Sequence, residues 1–232
     1  MDLRFACLIL DHDDTAVDST SEVHYPAHVE AMRVLRPGRT PVSLEGWFLK
    51  NFHPGVMRYL EGELGLTAQE LEVEYGIWRA FTTSRTPPFF AGFLETLREY
   101  RRRGGKIVVV SHSEHDVILR HYRDSGSQPL LPDLVFGWDA DEQRRKPNPW
   151  PVEEALRRLS IPPARALILD DLKPGVLMGQ RTGVAVAAAG WAHRIPAIRE
   201  YMESRCLAYL QSVEEFRLFI LGEGGQRYFL PT

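Results

Sequence analysis

The chain has 232 residues, with 28 lysines and arginines against 31 acidic residues, a formal charge of −3. That length fits one large domain, or a core carrying a smaller appended unit. The near balance of charge excludes a partner held by many phosphate contacts, so no nucleic acid is expected, and 44% apolar residues exclude a disordered chain.

The first element, in chain order, is Phe5-Ala6-Cys7-Leu8-Ile9-Leu10. A short continuous apolar run of this kind is a strand buried on both faces in a parallel sheet. The only cysteines are Cys7 and Cys206. Such a pair makes neither a disulfide scaffold nor a zinc ribbon, and a buried reduced thiol in a cytoplasmic protein is the expectation. Met1-Asp2-Leu3-Arg4 opens no secretory signal. No apolar run approaches the ~20 residues a bilayer span needs, so no membrane is expected.

From residue 18 to 88 the pattern turns helical. Val56, Met57, Leu60 and Leu64 share a helical face, as do Leu71, Tyr75, Trp78 and Phe81, while Pro37-Gly38 and Pro87-Pro88 punctuate the stretch. A helix over Phe90–Arg103 leads back to apolar runs at Ile107–Val110, Leu134–Phe136, Ala166–Leu169, Val184–Ala188 and, more weakly, Leu207–Leu210. Helical patterns lie between them, at Val152, Ala155, Leu156 and Leu159 and at Leu172, Val176 and Leu177. Strands alternating with helices predict an α/β fold, a three-layer Rossmann-like core with a parallel sheet. Residues 1–17 and 89–232 form that core, and residues 18–88 an inserted α-helical domain.

Open parallel sheets bind ligands at the carboxyl ends of their strands. Asp11-His12-Asp13-Asp14-Thr15 follows the first strand, Ser111-His112-Ser113 the second and Asp170-Asp171 the fourth, with Lys146 in the loop Arg144-Arg145-Lys146-Pro147-Asn148-Pro149. Crowded carboxylates repel one another unless a hard cation sits among them, and oxygen donors point to Mg2+ rather than zinc. A lysine and hydroxyls suit the remaining oxygens of a phosphate. The inventory is that of phosphoryl transfer. Each residue also has a plain structural use: Asp, Thr and Ser cap helices after strands, and Lys146 beside two arginines suits a solvated surface.

In order and spacing these segments resemble the four motifs of the haloacid dehalogenase (HAD) superfamily. Asp11-His12-Asp13-Asp14-Thr15 looks like its DxDxT signature, Ser111 its second motif, Lys146 its third and Asp170-Asp171 its fourth. The resemblance implies that Asp11 is the nucleophile and Asp13 the general acid and base. It also implies Mg2+ on the Asp11 side chain, the Asp13 carbonyl and Asp170 or Asp171. Thr15, Ser111, His112 and Lys146 would face the phosphate. Asp13 favours a phosphatase of the phosphoglycolate phosphatase-like branch, or a phosphomutase, over a dehalogenase. A non-catalytic ligand-binding protein on this scaffold is a further reading. Asp14 stands where the family usually has glycine, and Asp tolerates a left-handed backbone better than most residues.

By the same resemblance residues 18–88 are a helical cap that closes over the site and reads the leaving group. His24, His28, Asn51 and His53 are its candidate substrate contacts, and Lys50 is the cap lysine that phosphonate cleavage would need. Trp47 and Trp78 read as cap core. Trp191 and His193 read equally as site wall or packing. The expected partner is a small phosphorylated metabolite, with the chain a monomer or dimer.

Overall fold

A computed structural model describes residues 3–223. The chain divides into two compact units, Met1–Val17 with Phe89–Thr232, and Asp18–Pro88.

The smaller unit is helical: α1 (Tyr25–Leu35), α2 (Leu44–Phe52), the single turn α3 (Val56–Arg58) and α4 (Ala68–Ser84). Met32, Trp47, Tyr59, Leu60, Leu64 and Leu66 form its core. The expected helical face Val56-Met57-Leu60-Leu64 is split. A π-helical turn spans Tyr59–Glu63, and Met57 is 51% exposed while Leu60 and Leu64 are buried. The wider turn rotates the residues after it, so a 3.6-residue period carried across it misplaces Met57. The aromatic face of α4 is also less buried than its period predicts. Thr82 is the buried residue of that helix, and Tyr75 is 51% exposed.

The larger unit holds β1 (Cys7–Leu10), α5 (Phe93–Arg102), β2 (Lys106–Val110), α6 (His115–Arg123), β3 (Leu134–Phe136), α7 (Trp150–Leu159), β4 (Ala166–Asp170), α8 (Lys173–Thr182), β5 (Ala185–Ala189), α9 (Pro196–Glu203), β6 (Ala208–Leu210) and α10 (Val213–Leu221). The six strands form one parallel sheet in the order β3-β2-β1-β4-β5-β6. Every apolar run read as a strand is one, within a residue or two at its ends. Leu8, Leu10, Ile107, Val109, Leu167 and Leu169 pack in one cluster with Phe93, Leu97 and Tyr100 of α5 and Phe216 and Ile220 of α10. The alternate residues Cys7, Ile9, Val108 and Ile168 are buried as well. Burial on both faces explains why these strands are continuous apolar runs rather than alternating ones. Cys7 is a free, buried thiol, and burial pushes it up to about 12, so it is unreactive. Among the described residues no helix is long and apolar enough to cross a membrane.

Candidate functional site

β1 lies at the centre of the sheet, and its register pairs Leu10 with Val109 of β2 and Leu169 of β4. The residue after β1 is therefore flanked by two strand ends. The Asp11 amide donates to the Leu169 carbonyl (2.8 Å), and the Ser111 amide to that of Phe136 (2.9 Å). Asp170 is the last residue of β4. The loop before α7 delivers Lys146, whose Nζ lies 2.6 Å from Asp11 Oδ1 and 3.2 Å from Asp170 Oδ2. One oxygen from each of Asp11, Asp170 and Asp171 falls within 4.8 Å of the others, and all three residues are buried.

The turn after β1 is built to hold Asp11 still. The His12 amide donates to Asp11 Oδ1 (2.7 Å), and the His12 carbonyl accepts from the amides of Ala16 and Val17. Asp14 takes φ +57°, the left-handed conformation for which its side chain is suited. Trp191 packs against Phe90, Phe93 and Phe216 and donates from Nε1 to the Thr15 carbonyl (3.1 Å), so it braces the turn from behind. The Thr15 hydroxyl donates to Asp171 Oδ1 (3.4 Å). The His12 ring points into the core, with Nε2 2.9 Å from His121 Nδ1.

Asp13 Oδ2 accepts from the hydroxyls of Ser111 (3.0 Å) and Ser113 (2.7 Å), and the Ser113 amide donates back to Ser111 Oγ (3.0 Å). The sequence reading gave Ser113 no role. Its signal is the Ser-x-Ser spacing directly after a strand, which returns both hydroxyls to one side of a turn. His112 Nε2 lies 2.7 Å from the Lys146 carbonyl. Asp170 Oδ1 accepts from the Leu172 amide (2.9 Å). Gly175 in the first turn of α8 packs directly on this carboxylate: a Cβ there would lie 2.3 Å from Asp170 Cβ. His193, buried, brings Nε2 to 3.4 Å from Asp171 Oδ2.

Burial pushes Asp11 and Asp171 well above the ordinary carboxylate range. At Asp11 the Lys146 ammonium opposes that rise, and Asp170, Asp171 and Asp13 add to it; at Asp171 the neighbouring Asp14 and Asp170 add to it. Burial works against the charge on Lys146, but Asp11 and Asp170 overcome it and hold the lysine above its usual range. The Asp11, Asp170 and Asp171 carboxylates crowd one buried space with the Lys146 ammonium among them, an excess of acidic groups that a divalent cation relieves. Among the described residues, buried Asp171 Oδ2 has no hydrogen-bond partner, although His193 Nε2 lies 3.4 Å away. The donors are all oxygens, the preference of a hard cation such as Mg2+. The residues present thus fit a divalent metal.

In the helical unit, His24 Nδ1 accepts from Trp78 Nε1 (3.0 Å). His28 is buried and stacked on Trp47 with ring centroids 4.1 Å apart. Asn51 donates to the Trp47 carbonyl (2.9 Å), and Lys50 pairs with both oxygens of Glu63 (2.6 and 2.8 Å). His53 is exposed in the loop after α2. Trp47 is core, as read from sequence, whereas Trp78 is half-buried.

The chain is similar in sequence and in fold to known proteins. Pyrophosphatase PpaX of Bacillus velezensis is 25% identical over 193 residues, 82% of this chain and 85% of that protein. Another Bacillus PpaX is matched over only 45% of its length. A putative phosphoglycolate phosphatase from Lactobacillus delbrueckii has the same fold, with a TM-score of 0.76 at 20% identity over 95% of this chain and 100% of that one. So has a HAD family hydrolase from Deinococcus radiodurans solved with bound phosphate and sodium, with a TM-score of 0.71 at 22% identity over 100% of both chains. The family model for haloacid dehalogenase-like hydrolases matches residues 8–189, from β1 to the end of β5, and so takes in all four motif segments. The chain belongs to the haloacid dehalogenase-like hydrolase family.

Proposed function

We propose that the protein is a Mg2+-dependent phosphatase that hydrolyses a small-molecule phosphomonoester through an aspartyl-phosphate. The observation that carries this reading is the buried Asp11-Asp170-Asp171 cluster with the Lys146 ammonium on Asp11. The phosphate bound by the Deinococcus hydrolase and the pyrophosphatase name of the Bacillus relative support a phosphorylated substrate.

In this reading an Asp11 oxygen attacks phosphorus. The new O–P bond forms as the ester P–O bond breaks, and Asp13 gives its proton to the departing oxygen. Water then attacks the phosphorus of the aspartyl-phosphate, with Asp13 taking its proton, and free phosphate leaves with Asp11 restored. The Ser111 and Ser113 hydroxyls orient Asp13 for both proton transfers. Lys146 favours the charged form of Asp11 against its burial and supplies positive charge to the phosphoryl oxygens, with Thr15, Ser111 and His112 as further candidate donors. Asp11, Asp170 and Asp171, with the Asp13 carbonyl, would hold Mg2+, which supplies charge neutralisation of the phosphoryl group. Residues 18–88 serve as a cap that excludes water and reads the leaving group.

The test is phosphate release from p-nitrophenyl phosphate with and without Mg2+. Chelation by EDTA is expected to abolish release and Mg2+ to restore it. Asp11→Asn is expected to lower kcat by about 10³-fold or more; an Asp11→Asn protein as active as the parent would sink the reading.

A further inference from the structure

The carboxylate cluster does not account for one polar contact in the core of the larger unit. His12, the residue between Asp11 and Asp13, is buried, and so is His121 of α6, at 0% and 3% exposure. Their ring centroids lie 5.2 Å apart, with His12 Nε2 2.9 Å from His121 Nδ1. Aromatic rings surround the pair: Tyr122 lies 5.6 Å and Phe89 6.4 Å from the His12 ring. Two apolar side chains would fill such a space with no ring nitrogen to desolvate. A buried hydrogen-bonded pair instead fixes one arrangement, where an apolar pair would accept several.

Arg120 sets the direction of that contact. Its Nη2 lies 3.3 Å from His121 Nε2. A guanidinium only donates, so His121 Nε2 is the acceptor. An imidazole with its lone pair on Nε2 carries its proton on Nδ1. His121 Nδ1 therefore donates to His12 Nε2, and a one-way hydrogen-bond chain runs from Arg120 through His121 to His12. At its far end stands the nucleophile turn. The His12 amide donates to Asp11 Oδ1 (2.7 Å), the same oxygen that Lys146 Nζ meets at 2.6 Å. His12 lies two residues past the end of β1, beyond the paired residues of the sheet, so strand register does not fix it. Its ring and its amide share one Cα, and anchoring the ring aims the amide.

We infer that His121, oriented by Arg120, is a positioning residue for the nucleophile: it holds the His12 ring so that the His12 amide stays on Asp11 Oδ1. The inference rests on the phosphatase reading, in which Asp11 attacks phosphorus. His121 acts through His12 and not on the substrate, so its loss slows the chemical step and leaves substrate binding in place.

The test places a donor selectively at position 121. The amide nitrogen of asparagine stands where Nδ1 does, and that of glutamine where Nε2 does. With p-nitrophenyl phosphate and Mg2+, His121→Leu and His121→Gln are expected to lower kcat about tenfold with KM little changed. His121→Asn, which keeps the donor to His12, is expected to stay within about threefold of wild type. Rates are compared well below the melting temperature of every variant, so that lost folding is not read as lost positioning. Nitrogen-15 NMR of the wild-type His121 ring is expected to show the proton on Nδ1 and the lone pair on Nε2. A proton on Nε2, a His121→Leu protein as fast as wild type, or a His121→Asn protein as slow as His121→Leu overturns the inference. The ring spectrum needs no turnover, so it still reads the hydrogen-bond chain if an active Asp11→Asn protein shows that the phosphatase reading has failed.

Discussion

Lys146 and Gly175 are the residues on which the charge and the shape of the site depend most directly. Lys146→Met leaves three buried carboxylates with no cation, and is expected to cost about 3 kcal/mol of stability in the absence of metal, measured by urea unfolding with EDTA present. Gly175→Ala puts a methyl group where Asp170 now sits. The carboxylate must move, so phosphate release is expected to fall at least about tenfold, while Gly179→Ser, farther along α8, tests whether any distortion of that helix has the same effect. In the helical unit, His28 and Glu74 line one small apolar cavity with Met32, Leu35, Leu60 and Leu64. Burial pushes His28 down to about 4 and Glu74 up to about 7. The signs are opposite. Stability tied to His28 is complete above about 6.5 and is lost as pH falls through 4; stability tied to Glu74 is complete below about 4.5 and is lost as pH rises through 7. Glu74→Gln is therefore expected to raise the melting temperature at pH 8 relative to wild type and to leave it unchanged at pH 4, read by thermal scans across that range.

At the scale of elements, the ends of α4 and the loop after β2 show how single hydrogen bonds set local geometry. Thr67 Oγ1 accepts from the Glu70 amide (3.3 Å), and Glu70 Oε2 accepts from the Thr67 amide (2.8 Å), a reciprocal cap that starts α4. Glu70 also receives the Arg36 guanidinium, at 2.5 Å, from the end of α1. Thr67→Ala is expected to cost about 1 kcal/mol, and Glu70→Ala more than that because it ends both interactions, each measured by chemical unfolding. The Thr-x-x-Glu spacing is visible in the sequence; the Arg36 contact is not, because it joins residues 34 positions apart. The turn after β2 behaves in the same way. Ser111 is marked by its place after a strand, whereas Ser113 gains its role only when β1 is laid beside β2 and Asp13 comes within reach. Ser113→Ala is expected to slow phosphate release by about tenfold, the value of one lost positioning hydrogen bond, with Ser113→Thr retaining more activity.

For the molecule as a whole, a divalent cation that binds the folded carboxylate cluster and not the unfolded chain must stabilise the fold. Mg2+ at about 100 times its dissociation constant is expected to add about 2.7 kcal/mol, seen as a higher melting temperature that Asp170→Asn lowers. The layered α/β architecture was legible from residue types alone, because a strand buried on both faces must be apolar throughout, and the acids that follow such strands must gather at one edge of the sheet. The left-handed turn at Asp14 was legible only through the resemblance to a family that usually has glycine at that position. Distances between segments far apart in the chain were not legible. That Lys146 reaches Asp11 across 135 positions, that Gly175 makes room for Asp170, that Arg145 lies on Trp138 and that a π turn exposes Met57 all depend on how strands and helices pack. The amino-acid order determines which groups stand at the strand ends, since periodicity and burial are local properties. The tertiary structure alone decides which of them touch, because contact depends on register and side-chain direction.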